Sequence, residues 1–95
     1  MELTLGRLVA TAMVAELAAE NHDFSKHVWQ SLTRYLNFDW GDLCDEDKDL
    51  NRIALGPDGG RIFAAYDHPD HEDWRIWIIT EADRSVTTVL FPCEY

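Results

Sequence analysis

The chain has 95 residues, 46% of them hydrophobic, which suffices for one globular domain with a modest core (residues 1–95) and leaves no room for a second. Eight Lys and Arg against eighteen Asp and Glu give a formal charge of −10, while an aromatic content of 12% is that of a folded protein. This field disfavours DNA, RNA and anionic membranes as direct partners and favours a basic protein.

The first residues lack a basic n-region, and Glu16 and Glu20 interrupt the apolar run that follows, so neither an export signal nor a membrane span is expected. Leu5 to Ala10 reads as a short extended lead-in. Thr11 then offers an N-cap oxygen to a helix over about Ala12 to Glu20, with Met13, Val14, Leu17 and Ala18 on one apolar face. Asn21 suits a left-handed C-cap. A second helix runs from Asp23 or Ser25 through Leu36, burying Phe24, Val28, Leu32, Tyr35 and Leu36, with Trp29 flanking that stripe. Asn37 to Gly41 reads as a turn. Asp42 is then expected to cap a third helix from about Leu43 to Leu55, whose core face is Leu43, Leu50, Ile53 and Ala54.

Gly56-Pro57 stops the helical half, and the hydrophobic period changes from helical spacing to alternation. Arg61 to Tyr66, Trp74 to Thr80 and Val86 to Phe91 read as three strands of an antiparallel meander. The expected fold is therefore α+β, with three N-terminal helices packed on a C-terminal three-stranded antiparallel meander. Such a sheet has two open edges, and Val86 to Phe91 is the edge strand expected to be available for a homodimer.

Two constellations bear on chemistry. Asp42, Asp45, Glu46 and Asp49 stand at i, i+3, i+4 and i+7, which on a continuous helix lines four carboxylates along one face at about 5–6 Å between neighbours. With Asp39 beside them, such a stripe can occupy the basic groove of a nucleic-acid-binding protein in place of phosphates. The plainer account is a solvated helix start that favours the macrodipole. An EF-hand is rejected, because Leu50 stands where the loop needs Gly and Gly56 where it needs a bidentate Glu.

The second constellation is Asp67-His68-Pro69-Asp70-His71-Glu72-Asp73, a hairpin tip with two imidazoles among carboxylates. Only His22 or His27 could complete a metal set, so a polar tip is favoured over a metal site, and Asp70, Glu72 and Asp73 form a second acidic patch. Cys44 and Cys93 lack a partner motif, and Cys44 lies among carboxylates that disfavour a thiolate; both are expected as reduced thiols in a cytoplasm. No nucleotide-binding or nucleophile-elbow motif occurs, so no cofactor and no catalytic residue are assigned. Of the four Trp residues, Trp77 is expected in the core, while Trp40, in a turn beside Gly41, is the candidate exposed anchor.

Asp39-Trp40-Gly41-Asp42-Leu43, Glu46-Asp47, Asn51, Gly60-Arg61-Ile62, Ala65-Tyr66, the run Ile76-Trp77-Ile78-Ile79-Thr80-Glu81-Ala82-Asp83-Arg84-Ser85 and Pro92-Cys93-Glu94-Tyr95 together resemble a family of small uncharacterised proteins carried by phages, plasmids and integrative elements of bacteria. The chain departs from that pattern at Cys93 and in the acidic loop His68 to Asp73. The resemblance brings no catalytic residues. It implies a context in which small acidic proteins, similar in size and charge to anti-CRISPR and antirestriction proteins, act on host defence.

The expectation is thus a non-catalytic inhibitor in the bacterial cytoplasm. It would bind a CRISPR-Cas effector or related basic DNA-binding complex through Asp39, Trp40, Asp42, Asp45, Glu46 and Asp49, with Asp70, Glu72 and Asp73 as a second patch. A regulatory interaction module and a small metal-dependent enzyme using His68 and His71 are the alternatives. Arg84 is expected to hold its turn by bridging Glu81 or Asp83.

Overall fold

The computed structural model describes residues 3–95. A first strand, β1 (Arg7–Ala10), precedes three helices, α1 (Ala12–Glu20), α2 (His22–Leu36) and α3 (Asp45–Ala54). Three strands follow, β2 (Ile62–Tyr66), β3 (Ile76–Thr80) and β4 (Val86–Leu90), with short 3-10 turns at Glu72–Trp74 and Pro92–Glu94. The sheet order is β1-β4-β3-β2. The expected antiparallel meander of β2, β3 and β4 forms, but it is not the whole sheet. The extended lead-in is itself a strand and runs parallel to β4, Arg7 opposite Val86 and Ala10 opposite Val89. The sheet is therefore four-stranded and mixed.

This addition moves the edges. β4 is hydrogen-bonded on both sides and offers no free edge, so a homodimer cannot form through Val86 to Phe91 as expected. The outer edge of β2 is occupied as well. The Ala65 amide donates to the Trp40 carbonyl at 3.3 Å, and the Asp42 amide donates to the Ala65 carbonyl at 2.7 Å. Gly41, with φ 74°, makes this close approach; a Cβ there would overlap the Ala65 carbonyl oxygen. Asn51 completes the edge, its amide donating to the Phe63 carbonyl at 2.6 Å and its carbonyl accepting the Phe63 amide at 3.0 Å. Among the described residues, β1 is left as the strand with a free edge.

Alternation along the strands sends Ile62, Ala64, Tyr66, Ile76, Ile78 and Val89 to one face, where they meet Val14 of α1 and Phe24, Val28, Leu32 and Tyr35 of α2. α1 and α2 supply most of the helical cover of that face, while α3 lies beside β2 and adds Ala54 to the core. Its packing explains a second correction. Leu50 and Ile53, expected inward, are 61% and 66% exposed, whereas polar Asn51 is buried because it hydrogen-bonds the strand edge. The helix also begins later than expected, with Cys44 at the N-cap.

Thr11 caps α1 as expected, accepting the Val14 amide at 3.4 Å. Asn21 is extended, with φ −129°, and is no left-handed cap: its side chain accepts the Phe24 amide at 3.1 Å and starts α2, so one residue ends one helix and opens the next. Met13 and Leu36 are exposed rather than buried, as is Trp29. The second sheet face carries Phe63, Ala65, Trp77, Ile79 and Leu90, outside the main core, with Trp77 half-buried between Phe63 and Tyr95. Among the described residues no helix is long and apolar enough to cross a membrane.

A polar chain threads the core. Thr87 Oγ1 donates to the Leu5 carbonyl at 2.7 Å, which leaves it to accept from Thr80, and Thr80 in turn to accept from the Tyr35 hydroxyl at 2.6 Å. The carbonyl can only accept, so the direction of every proton is fixed.

Candidate partner-binding surface

The acidic residues singled out in the sequence divide into two groups. Asp39 and Asp42 build the turn that covers β2. The Asp39 carboxylate takes two bonds from Arg34, at 2.7 and 3.2 Å, and one from the Gly41 amide at 3.0 Å. These contacts, the Arg34 bond foremost, hold its carboxyl below the usual range. Asp42 accepts the Asp67 amide at 2.8 Å, and Asp67 pairs with Arg75 at 2.8 Å. Trp40 is 6% exposed, its ring set edge-on to Tyr35 and Phe38. It is a core residue and not the expected exposed anchor. The turn that suggested exposure packs its indole inward while its backbone pairs with β2.

Asp45, Glu46 and Asp49 form the second group. Because α3 starts at Asp45, Asp42 lies outside the helix and the expected four-carboxylate stripe shortens to three. All three are exposed. Asp45 and Asp49 lie one turn apart, about 6 Å along the axis, with Glu46 beside them. Asp49 pairs with Arg52 at 3.0 Å; Asp45 and Glu46 make no salt bridge among the described residues.

The loop residues are split too. The Asp70 amide donates to His68 Nδ1 at 3.1 Å, closing the tip locally. Glu72 and Asp73, in the 3-10 turn, face α1 across a groove that also receives Glu16 and Glu20. Those two glutamates were not legible as site residues, since on α1 they read as an ordinary solvated face. The one hint was Met13, an apolar residue adjoining them in a helix whose other small apolar positions already supply a core stripe.

The histidines gather around His27 of α2. His68 lies 5.1 Å from His27 and 5.3 Å from His71 between ring centroids, and His71 stacks on Trp74 at 3.8 Å. His27 is buried, and its Nε2 must donate to the Trp74 carbonyl, 3.0 Å away. Burial, then the charge of His68, holds its pKa below the usual imidazole value, against the backbone hydrogen bonds of Trp74 and Tyr66. The rings meet face and edge. Among the described residues no group of three or more His, Cys, Asp or Glu is placed to hold a metal ion.

Arg84 does not bridge Glu81 or Asp83 through their carboxylates. Its guanidinium donates to four backbone carbonyls, Ala54 at 2.9 Å, Gly60 at 2.6 Å, Glu81 at 3.1 Å and Ala82 at 3.2 Å, tying the end of α3 to the β3–β4 turn. The chain matches no protein-family model, no curated protein and no solved structure.

Proposed function

We infer that this protein is an acidic, non-catalytic binding protein that occupies the nucleic-acid groove of a basic partner, of the kind formed by a CRISPR-Cas effector or a related DNA-binding defence complex. The observation that carries the reading is the exposed trio Asp45, Glu46 and Asp49, held on a helix whose position is fixed by the Asn51 clamp on β2. A rigid row of carboxylates competes with phosphates for Lys and Arg, and it does so without first ordering a flexible segment. The overall charge of −10 draws such a partner from a distance and repels free nucleic acid.

A competition assay tests the reading. Purified DNA-binding effectors are loaded with labelled target duplex and titrated with the protein. Displacement should be strong at low salt, weaken as salt rises, and weaken about tenfold or more when Asp45, Glu46 and Asp49 become Asn, Gln and Asn. Displacement unchanged by that triple substitution, or DNA retained by every effector tried, would refute it.

A further inference from the structure

We propose that the groove between α1 and the two 3-10 turns is a docking slot for a cationic amphipathic helix of a partner protein, independent of the α3 carboxylates. The groove holds about 600 Å3. Its floor is apolar, made by Met13 and Leu17 of α1 and by Phe91 and Pro92 at the end of the sheet. Met13, 53% exposed, leaves this floor open to solvent.

The walls are acidic on both sides. Glu16 and Glu20 stand one turn apart on α1, and Glu72 and Asp73 face them. None of the four makes a salt bridge among the described residues. The one cation at the groove among the described residues, Arg75, is engaged by Asp67 at 2.8 Å. A neutral apolar occupant would leave four like charges uncompensated around it, so the complementary occupant is apolar on one side and basic on the flanks.

Spacing selects a helix. Met13 and Leu17 form one row with a four-residue repeat and Glu16 and Glu20 a second, each advancing about 6 Å along α1. A partner helix laid along α1 presents apolar anchors at i and i+4 to the first row and Lys or Arg at the same repeat to the second. The α1 wall is fastened to the floor of the groove. Thr11 Oγ1 donates to Glu94 Oε1 at 2.8 Å, and the same oxygen accepts the Phe91 amide at 2.9 Å, so the start of α1 and the C-terminal turn are fastened to each other.

Cys93 lines the groove and is exposed, which supplies a reporter. In a Cys44→Ser background, a fluorophore on Cys93 is titrated with a synthetic Leu/Lys helix carrying Leu at i, i+3, i+4 and i+7, and with the same peptide in which Gln replaces Lys. The Lys peptide should bind saturably and the Gln peptide about tenfold more weakly. The Glu16→Lys/Glu20→Lys variant should lose about tenfold or more, as should Met13→Asp, whose floor contact is apolar. The Asp45→Asn/Glu46→Gln/Asp49→Asn variant should bind as the parent does, which separates this slot from the α3 reading. Equal binding of both peptides, no loss on reversing Glu16 and Glu20, or an equal loss in the α3 variant would overturn the proposal. Saturation by hexylammonium as tightly as by the Lys peptide would also overturn it, by making the groove a small-molecule site. Circular dichroism and unchanged melting of each variant exclude misfolding as the cause of lost binding.

Discussion

Replacing Asn51 by Ala should uncouple the acidic helix from the sheet. Asn51 is 2% exposed and satisfies both polar groups of Phe63 at once, the carbonyl at 2.6 Å and the amide at 3.0 Å. Truncation leaves both without a partner, at a cost of about 1–3 kcal/mol for each group that water cannot reach. Phe63 is half-buried, so solvent recovers part of this, and a total of about 2–3 kcal/mol is expected. In a domain of this length that corresponds to a fall in Tm of about 10–20 °C. Urea titration followed by Trp fluorescence measures it, and hydrogen exchange at the Phe63 amide localises it.

Asn51→Asp sharpens the test. A carboxylate there can accept the Phe63 amide but faces the Phe63 carbonyl oxygen with no proton to offer, and it buries a charge. Its pKa in the folded state should rise, so the variant should regain stability relative to the parent as pH falls from 7 to 4, where the protonated acid donates as the amide did. An Asn51→Ala protein within about 0.5 kcal/mol of the parent, with the Phe63 amide still protected, would refute the role assigned to this clamp.

Arg84→Ala removes a guanidinium shared by four carbonyls and should cost about 1.5–3 kcal/mol by urea denaturation, with Arg84→Lys recovering only part, since one ammonium cannot span them. Burial pushes the Tyr35 phenol up to about 12, against the bond to Thr80, so its contribution is complete below pH 10 and is lost as pH rises toward 12; Tyr35→Phe should flatten urea midpoints measured from pH 8 to 11. His27 has the opposite sense. Its lowered pKa, set by burial and then by His68, makes stability complete above about pH 6.5 and falling as pH drops below it, in a pocket that Asp23, Lys26, Asp70 and His71 also line. His27→Gln, which can still donate to the Trp74 carbonyl, should reduce the difference between urea midpoints at pH 7.5 and pH 5.

The helices and the meander were legible because their signals are local: Thr11 before an apolar period, Gly56-Pro57 after one, alternation in Ile62–Tyr66 and Ile76–Thr80. β1 was visible only as an extended piece. Its four residues do not alternate, and its partner β4 lies at the far end of the chain, so parallel pairing leaves no short-range trace. α3 misled for a related reason. A hydrophobic period locates the buried face only when apolar contact does the packing, and here a polar clamp turned Leu50 and Ile53 outward. Trp40 misled in the same way, through a turn whose neighbours are polar but whose backbone pairs with a strand.

That clamp and that turn also determine which charges a partner can meet. Asp39, Asp42 and Asp67 are engaged by Arg34, by backbone amides and by Arg75, so neutralising them disturbs the covered edge of β2 before it disturbs any interface. Asp45 and Glu46 on α3, and Glu16, Glu20, Glu72 and Asp73 around the groove, have no such duties among the described residues. These acidic residues thus divide into carboxylates that close the edge of the sheet, and carboxylates mounted on α3, α1 and the Glu72–Trp74 turn that stay open to a partner. Two copies meeting at the free edge of β1 would bring together two molecules of formal charge −10, a repulsion that diminishes with added salt. A basic partner meets the reverse, and its association weakens under the same change, so the salt dependence alone distinguishes self-pairing from capture of a cationic protein.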